Sequence, residues 1–148
     1  MMPKPIEEYE NSTMTSDETF LALLRVAEAC ILFTCKEAMS TRWNHMERRY
    51  DTIVGRVKGK WLLRKKVLPL MRLLATKTQG SPSFSDYAVF AKAFEDALRI
   101  LVKDGMISVE NEYPYSRIRK TYAITPTGVS AIKSYESMIH VLEGARLA

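Results

Sequence analysis

The sequence predicts a mainly α-helical protein with one small β-hairpin, which is an α+β fold. Apolar residues recur at intervals of three and four over most of the chain, the period of an amphipathic helix. Two short runs on either side of Pro114 instead alternate apolar and polar side chains, the period of a strand. With 148 residues, 47% of them hydrophobic, the chain is long enough for one compact domain with its own core.

The distribution of charge indicates an anionic partner. The net charge is +5, but residues 41–77 contain eleven Lys or Arg and only two acids, so that stretch carries +9 and the remainder −4. A cationic block on a mildly acidic body is typical of proteins that bind a polyanion such as nucleic acid. A solvated helix face with no partner is the alternative.

The N-terminal part predicts a flexible tail followed by a long helix. Residues 1–14 are acidic and contain proline without a hydrophobic period, so we expect them to form the tail. A helix should begin at Ser16 or Asp17 and run to about Met39.

This first helix is apolar nearly all round, so it requires burial on every side. We expect a second subunit to cover part of it, and the alternative is a central helix buried within one chain. A homodimer is therefore predicted, with contact residues in the first and last helices: Leu24, Ile31, Ile139 and Leu142.

Residues 40–61 predict a second helix, because Trp43, Met46, Tyr50 and Ile53 recur at threes and fours. A break is expected near Lys58–Lys60. Residues 15–60 would thus form a helical extension that provides the dimer contact and a basic face. The predicted supporting basic patch comprises Arg48, Arg49, Arg56, Lys58, Lys60, Arg64, Lys65 and Lys66.

Residues 61–125 predict two more helices and the hairpin. One helix should run from about Val67 to Thr78 with Pro69 in its first turn, or else as a kinked helix from near Trp61. The next should start at Ser83 or Ser85 and end after Lys103. Its apolar stripe comprises Phe90, Phe94, Ala97, Leu98 and Leu101, and Gly105 suits a left-handed helix end.

The hairpin pattern predicts which side chains point outward. Ile118, Tyr122 and Ile124 share the core-facing parity, whereas Arg117, Arg119 and Thr121 share the other. Lys120 has the core-side parity, so its stem would have to snorkel. Thr125 should then cap a C-terminal helix, residues 126–148, with Pro126 at its first position.

This order of elements is the layout of a winged helix-turn-helix domain. The segment "AFEDALRILVKDGMI" (Ala93–Ile107) resembles the recognition-helix segment of the PadR and MarR families of transcriptional regulators. The segment "YAITPTGVSAI" (Tyr122–Ile132) resembles the pattern that closes the wing in PadR-like proteins. The resemblance covers roughly residues 67–132.

The resemblance implies a helix in the major groove of duplex DNA, a wing near the minor groove or backbone, and dimers on two half-sites. It places these residues at exposed positions of the recognition helix: Lys92, Ala93, Glu95, Asp96 and Arg99. It places these on the wing: Tyr115, Ser116, Arg117, Arg119 and Lys120.

Two features depart from the family pattern. Residues 83–92 form a very short segment for a separate second helix and turn. Glu95 and Asp96 stand where a DNA reader usually presents neutral or basic groups. We expect one of the two acids to be turned away or paired with Arg99 or Lys92.

The predicted function is that of a transcriptional regulator, most simply a repressor, that binds double-stranded DNA. The alternatives are a winged helix that scaffolds a protein complex and a centromere-type DNA adaptor in plasmid or viral segregation. No residue pattern supports a small-molecule effector, although an aromatic-rich interior leaves room for one, with core packing the preferred interpretation of Trp43, Tyr50, Trp61, Phe84 and Tyr87.

Other function classes find little support in the sequence. "GRVKGKW" (Gly55–Trp61) is one residue short of a phosphate loop and has Trp where Ser or Thr would hold magnesium. We therefore expect no enzyme activity and no cofactor, and with two histidines far apart, no metal site. The chain has no signal-peptide pattern or membrane span, and Cys30 and Cys35 are interpreted as reduced core thiols, so a cytoplasmic location is expected.

Overall fold

The fold is a mixed α and β arrangement that is mostly helical. The computed structural model describes residues 16–79, 87–113 and 118–147, and the predicted tail lies outside them. The elements are α1 (Ser16–Glu37), β1 (Ser40–Asn44), β2 (Arg49–Ile53), β3 (Val57–Lys58), α2 (Lys60–Gln79), α3 (Tyr87–Lys103), β4 (Ile107–Glu112), β5 (Arg119–Ile124), α4 (Pro126–Ala131), a 3-10 turn (Ile132–Tyr135) and α5 (Glu136–Leu147).

Helix α1 lies at the centre of the molecule. It contacts α2, α3, α5 and β5, so its apolar circumference is covered from several sides by its own chain. From Val26 to Cys35 every residue is buried. The alternative of a central helix buried within one chain is therefore confirmed.

The residues predicted to form the dimer contact are largely inside this core. Ile31 and Leu142 are fully buried, Ile139 is 5% exposed, and Leu24 packs against the cluster as a partly buried residue. The prediction was wrong for Ile31, Ile139 and Leu142, because α2, α3 and α5 already surround α1. A dimer stays a prediction, and these three buried residues do not provide its contact surface.

The predicted second helix is instead a β-hairpin. Strands β1 and β2 pair antiparallel, with Trp43 opposite Tyr50 and Arg42 opposite Asp51. The Asn44 side chain accepts hydrogen bonds from the backbone N–H groups of Met46 and Glu47, both at 3.0 Å. Such a side-chain contact replaces a backbone turn, and the β-branched and aromatic residues then favour strands over a helix.

Helix α2 starts earlier than the preferred prediction and continues through Pro69, as in the alternative with a helix beginning near Trp61. Proline removes one helical hydrogen bond. A continuous buried stripe offsets that loss: Leu63, Val67, Met71, Leu74 and Ala75.

Helix α3 confirms the predicted apolar stripe and the predicted end. Its buried face comprises Phe90, Ala93, Phe94, Ala97, Leu98 and Leu101. Gly105 has a φ of 76°, and the Met106 N–H donates to the Leu101 carbonyl at 2.9 Å. A left-handed residue followed by this bond is a Schellman end, which turns the chain directly into β4.

Three strands form a second small sheet in the order β3-β5-β4. Ile107 pairs with Ile124 across the β4–β5 hairpin, and Glu112 pairs with Arg119. On the other side of β5, Val57 pairs with Tyr122. Strand β5 is therefore the central strand of this sheet.

Two residues of the β4–β5 hairpin do not lie where the alternating pattern predicted them. Thr121 was expected to face outward, but it is fully buried because strands flank β5 on both sides. Ile118 was expected to face the core, but it is 64% exposed because it precedes the first residue of β5.

The end of the chain confirms the predicted cap. The Thr125 hydroxyl accepts a hydrogen bond from the Gly128 N–H at 3.0 Å, and Pro126 occupies the first helical position. The predicted single helix is divided into α4, the 3-10 turn and α5. Tyr135 donates its hydroxyl to the buried Glu28 carboxylate at 2.7 Å, which fastens the 3-10 turn to α1.

Candidate nucleic-acid interface

A groove of about 420 Å³ lies between the outward face of α3 and the β4–β5 hairpin. Its walls carry four cations from three elements: Lys60 of α2, Arg99 and Lys103 of α3, and Lys120 of β5. Glu95 is the single acid among the described residues that line it. The groove is therefore a cationic channel beside a helix.

Local backbone geometry brings these cations together. Pairing of β3 with β5 places Lys58 opposite Thr121, and the Gly59 N–H donates to the Lys120 carbonyl at 2.9 Å. Helix α2 therefore starts, with Lys60, beside the point where Lys120 leaves the sheet. Lys120 keeps the parity of Tyr122 as predicted, and its side chain lines the groove.

Four of the five predicted recognition-helix residues lie outside the core. Lys92 and Arg99 are exposed, and Glu95 and Asp96 are half-buried. Ala93 is the exception, because it is fully buried against the core. Its prediction as an exposed contact was wrong, since the apolar stripe of α3 extends one position further round the helix than the sequence pattern suggested.

Asp96 is held by two cations on its own helix. Lys92 Nζ lies 3.0 Å from Asp96 Oδ2, and Arg99 Nη2 lies 2.9 Å from Oδ1. The hydrogen bond from Lys92 and that from Arg99 lower the pKa of the Asp96 carboxyl, against an opposing effect of desolvation. The predicted pairing of an acid with Arg99 or Lys92 is confirmed.

Glu95 is held by cations from the neighbouring helix. Lys60 Nζ lies 2.6 Å from Glu95 Oε1, and Arg64 Nη1 lies 4.0 Å from Oε2. Glu95 in turn contributes to raising the pKa of Tyr122, after the larger effect of burial. Both acids of α3 therefore have cationic neighbours, so neither presents an uncompensated negative charge to the groove.

Comparison of the chain with protein-family models, with curated proteins and with solved structures gave no match.

The predicted wing is only partly within the described residues. Tyr115, Ser116 and Arg117 lie outside them. Arg119 does not project freely, because its Nη2 donates to Glu112 Oε1 across the hairpin at 3.0 Å. Lys120 is exposed, and among the described residues of the predicted wing it is the one that lines the groove.

The predicted basic patch divides into surface and internal residues. Lys58, Lys65 and Lys66 are exposed, and Lys65 Nζ sits 4.9 Å from the centre of the Trp61 ring. Arg48 and Arg49 are exposed on the β1–β2 hairpin, and neither is among the described residues that line the groove. The predicted patch is thus divided among the β1–β2 hairpin, β3 and α2, and does not form the continuous face that a single helix would have given.

Arg56 belongs to the interior rather than to the basic patch. Its Nε donates to the Thr121 hydroxyl at 2.7 Å, its Nη2 donates to the Thr121 carbonyl at 3.2 Å, and Glu110 lies 3.5 Å away. Its side chain is only 22% exposed. The prediction was wrong for this residue, because the buried central strand satisfies the guanidinium.

Lys103 and the role of Lys60 as a partner of Glu95 were not predicted from the sequence. Lys103 lies eleven positions after Lys92 and four after Arg99, so the helical period alone places all three on one face. The Lys60–Glu95 contact joins residues from two helices, and no local pattern reveals it.

The aromatic residues considered as core or effector-binding groups are at the surface where they are described. Trp43, Tyr50, Trp61 and Tyr87 are 40%, 70%, 64% and 56% exposed. Trp61 and Tyr87 line a second, smaller groove of about 300 Å³ with Arg64 and Lys65. The preferred interpretation as core packing was therefore wrong for these four, and Phe84 lies outside the described residues.

Two further observations concern other site types. No group of three or more metal-binding side chains occurs within the described ranges, and none of the helices there combines the length and apolarity of a membrane span. Cys30 and Cys35 are free and buried, and burial raises the pKa of both thiols, that of Cys35 to about 12. Neither thiol is therefore poised as a nucleophile.

Proposed function

We propose that the chain is a winged helix-turn-helix protein that binds duplex DNA and regulates transcription, most simply as a repressor. The order α1, β3, α2, α3, β4, β5 supports this assignment, with β1–β2 as an insertion between the first helix and the first strand of the domain. The sheet order β3-β5-β4 supports it too, because the short strand after the first helix completes the sheet beside the wing.

The observation that carries the proposal is the convergence of Lys60, Arg99, Lys103 and Lys120 on one groove. These cations come from α2, α3 and the wing, the three elements that face DNA in a winged helix. Neutralised phosphates release condensed counterions, so such a cluster provides affinity for any duplex. The exposed face of α3 would then read base edges in the major groove.

Two acids on α3 would oppose placing this helix against DNA if their charges were not compensated. An exposed carboxylate facing DNA repels phosphate, whereas Asp96 is held by Lys92 and Arg99 and Glu95 by Lys60. In the complex, Asp96 would orient Arg99, and Arg99 would carry the contact to phosphate or to guanine.

The test is fluorescence anisotropy of a labelled random duplex with the purified chain over a salt series. We expect affinity to fall steeply with salt. In the double variant R99A/K120A, the slope of log K against log salt should decrease by about 0.9 for each phosphate that the protein no longer neutralises. The variant K133A is the matched control, because Lys133 is exposed on the 3-10 turn outside the groove.

Absence of duplex binding even at low salt would reject the proposal and favour a winged helix that scaffolds a protein complex. Where binding is seen, selection of bound sequences from a random pool measures the preference. A single recovered motif fits a regulator, and sequence-independent recovery contradicts sequence-selective repression.

A further inference from the structure

The β1–β2 hairpin forms a separate two-stranded sheet. Within residues 16–79, 87–113 and 118–147, β1 pairs with β2 and neither strand pairs with a third. The hairpin and the residue after it expose five large apolar side chains: Trp43 at 40%, Met46 at 94%, Tyr50 at 70%, Ile53 at 36% and Val54 at 49%. A lone two-stranded hairpin is marginally stable in water, and an unpaired edge is a template for another strand.

The register sorts the hairpin into two different faces. Trp43 and Tyr50 are cross-strand partners on one face, with ring centres 5.0 Å apart. Arg42 and Asp51 are partners on the other face, where Arg49 Nε lies 3.2 Å from Asp51 Oδ1. Along β2, the aromatic Tyr50 therefore stands between Arg49 and Asp51.

We propose that β2 pairs antiparallel with β2 of a second copy of this chain, with Tyr50 on the two-fold axis. In this register Arg49 of each copy faces Asp51 of the other, so two ion pairs form across the new edge. Tyr50 faces its own copy, and the two aromatic pairs join into one row on a four-stranded sheet. Such an interface is self-complementary, as a two-fold dimer requires.

Charge selects this edge and this register. An axis at Arg49 or at Asp51 would place two like charges directly opposite each other, which is destabilising. On the β1 edge, an axis at Arg42 would do the same, and an axis at Trp43 would set Arg42 against the neutral Asn44. The β2 edge centred on Tyr50 is the arrangement that pairs opposite charges twice.

A nucleic acid is a weaker fit to the hairpin. Its three arginines are accompanied by Glu47 and Asp51, and Asp51 already binds Arg49 and accepts a hydrogen bond from Asn44 at 2.7 Å. On the other face, the paired Trp43 and Tyr50 carry no charge that would attract phosphate. The hairpin also replaces α1 as the element of self-association, since α1 is covered within its own chain.

The test is sedimentation equilibrium of the full chain without DNA, so its outcome does not depend on the proposed function. We expect the wild type to dimerise, and R49D and D51R each to weaken dimerisation roughly tenfold to a hundredfold, because both turn two attractive cross-strand pairs into repulsive ones. K133D is the control for charge change, since Lys133 is exposed on the 3-10 turn.

Mixing the two variants is the decisive step. When R49D is mixed with D51R, the aspartate introduced at position 49 of one chain faces the arginine introduced at position 51 of the other. The unchanged Asp51 of the first chain faces the unchanged Arg49 of the second. Both cross-strand pairs of the mixed dimer are then attractive, so it should form more readily than either variant dimerises alone. Circular dichroism before mixing establishes that both variants are folded.

Several results would overturn the proposal. A wild type that stays monomeric over the concentration range rejects it. Quenching of Trp43 fluorescence by an oligonucleotide, measured in W61F because Trp61 is also exposed, would then assign the hairpin to nucleic acid. Dimers that persist in both single variants, or a mixture that remains monomeric, reject this edge and register. A dimer that fails to bind duplex leaves this inference standing and rejects only the DNA proposal.

Discussion

Lys60 Nζ lies 2.6 Å from Glu95 Oε1, which joins the first residue of α2 to the middle of α3 inside the groove. This ion pair holds one of the four groove cations against the one acid among the described groove residues. Phosphate bound as proposed would therefore compete with Glu95 for the same ammonium group, and the free groove is less cationic than its lysines and arginines suggest.

Removing the Glu95 charge should strengthen non-specific DNA binding. In E95Q, Lys60 has no anionic partner at this position and becomes available to phosphate. We expect a several-fold higher affinity for random duplex and a salt slope steeper by about 0.9, which corresponds to one additional neutralised phosphate. The control is E143Q, because Glu143 is on α5, outside the groove. A weaker affinity for random duplex would show that Glu95 positions Lys60 rather than sequesters it.

The sequence predicted those parts of the fold that are specified locally. The stripe of α3, the left-handed Gly105 and the Thr125 cap each depend on residues within one or two turns of each other, so the pattern contains the whole signal. The packing of α1 depends on residues distant in sequence. An apolar circumference indicates burial but does not tell which chain provides the cover.

Residues 40–53 show why a periodic pattern can mislead. Trp43, Met46, Tyr50 and Ile53 fit the helical period, yet their spacing also fits two strands joined by a turn. That turn contains neither Gly nor Pro. It depends on the Asn44 side chain and on a φ of 52° at Arg48, which a pattern of residue types does not reveal.

The candidate site was predictable in part for the same reason. Lys92 and Arg99 follow from the helical period of α3, and Lys120 from its position in the strand. Ala93 was misplaced because a small residue at the boundary of an apolar stripe fits either side of it. The partners of Glu95 were not predictable, because Lys60 and Arg64 belong to another helix.

The Asp96 ion pairs should make stability depend on pH in the acid range. The folded pKa of Asp96 is lowered by the hydrogen bonds from Lys92 and Arg99, so the unfolded chain binds a proton more readily. This contribution is present above the ordinary aspartate pKa of about 3.9 and is lost as pH falls through the lower folded value. D96N should therefore be less stable at neutral pH by about 0.5–1 kcal/mol, for two helical ion pairs.

Urea unfolding of wild type and D96N between pH 2 and pH 7, roughly the range in which carboxyls titrate, measures this effect. The difference in the free energy of unfolding between wild type and D96N should shrink as the pH falls. D104N is the matched control, because Asp104 is an exposed aspartate just after α3. A difference that is the same at all pH values would contradict a role for the Asp96 charge.

Gly128 and Gly144 should respond in opposite directions to alanine. A Cβ at Gly128 would lie 2.2 Å from the Met106 carbonyl oxygen and 2.7 Å from Ile124 Cγ1, whereas a Cβ at Gly144 meets nothing within 4 Å. We expect G128A to destabilise the protein by about 1–3 kcal/mol through overpacking. G144A, within α5, should stabilise it by about 0.5–1 kcal/mol. Urea unfolding of both variants is the measurement, and a stabilising G128A would mean that β5 and α4 can separate.

Arg56 is expected to stabilise the fold rather than to contact DNA. Its guanidinium binds the Thr121 hydroxyl and carbonyl of the buried central strand, at 2.7 Å and 3.2 Å. R56A should destabilise the protein by about 1.5–3 kcal/mol, the range for a hydrogen bond to a charged group. R56K should recover little of this, because an ammonium lacks the planar fork that reaches both acceptors.

The same variants test whether Arg56 binds DNA. Measured on folded protein, R56A should leave the salt slope of duplex binding unchanged, whereas K120A should lower it by about 0.9. Lys120 is a suitable comparison because it leaves the same strand next to Thr121 but lines the groove. A reduced salt slope with unchanged stability in R56A would return this residue to the DNA-binding surface and would place the phosphate backbone over β3 rather than along α3.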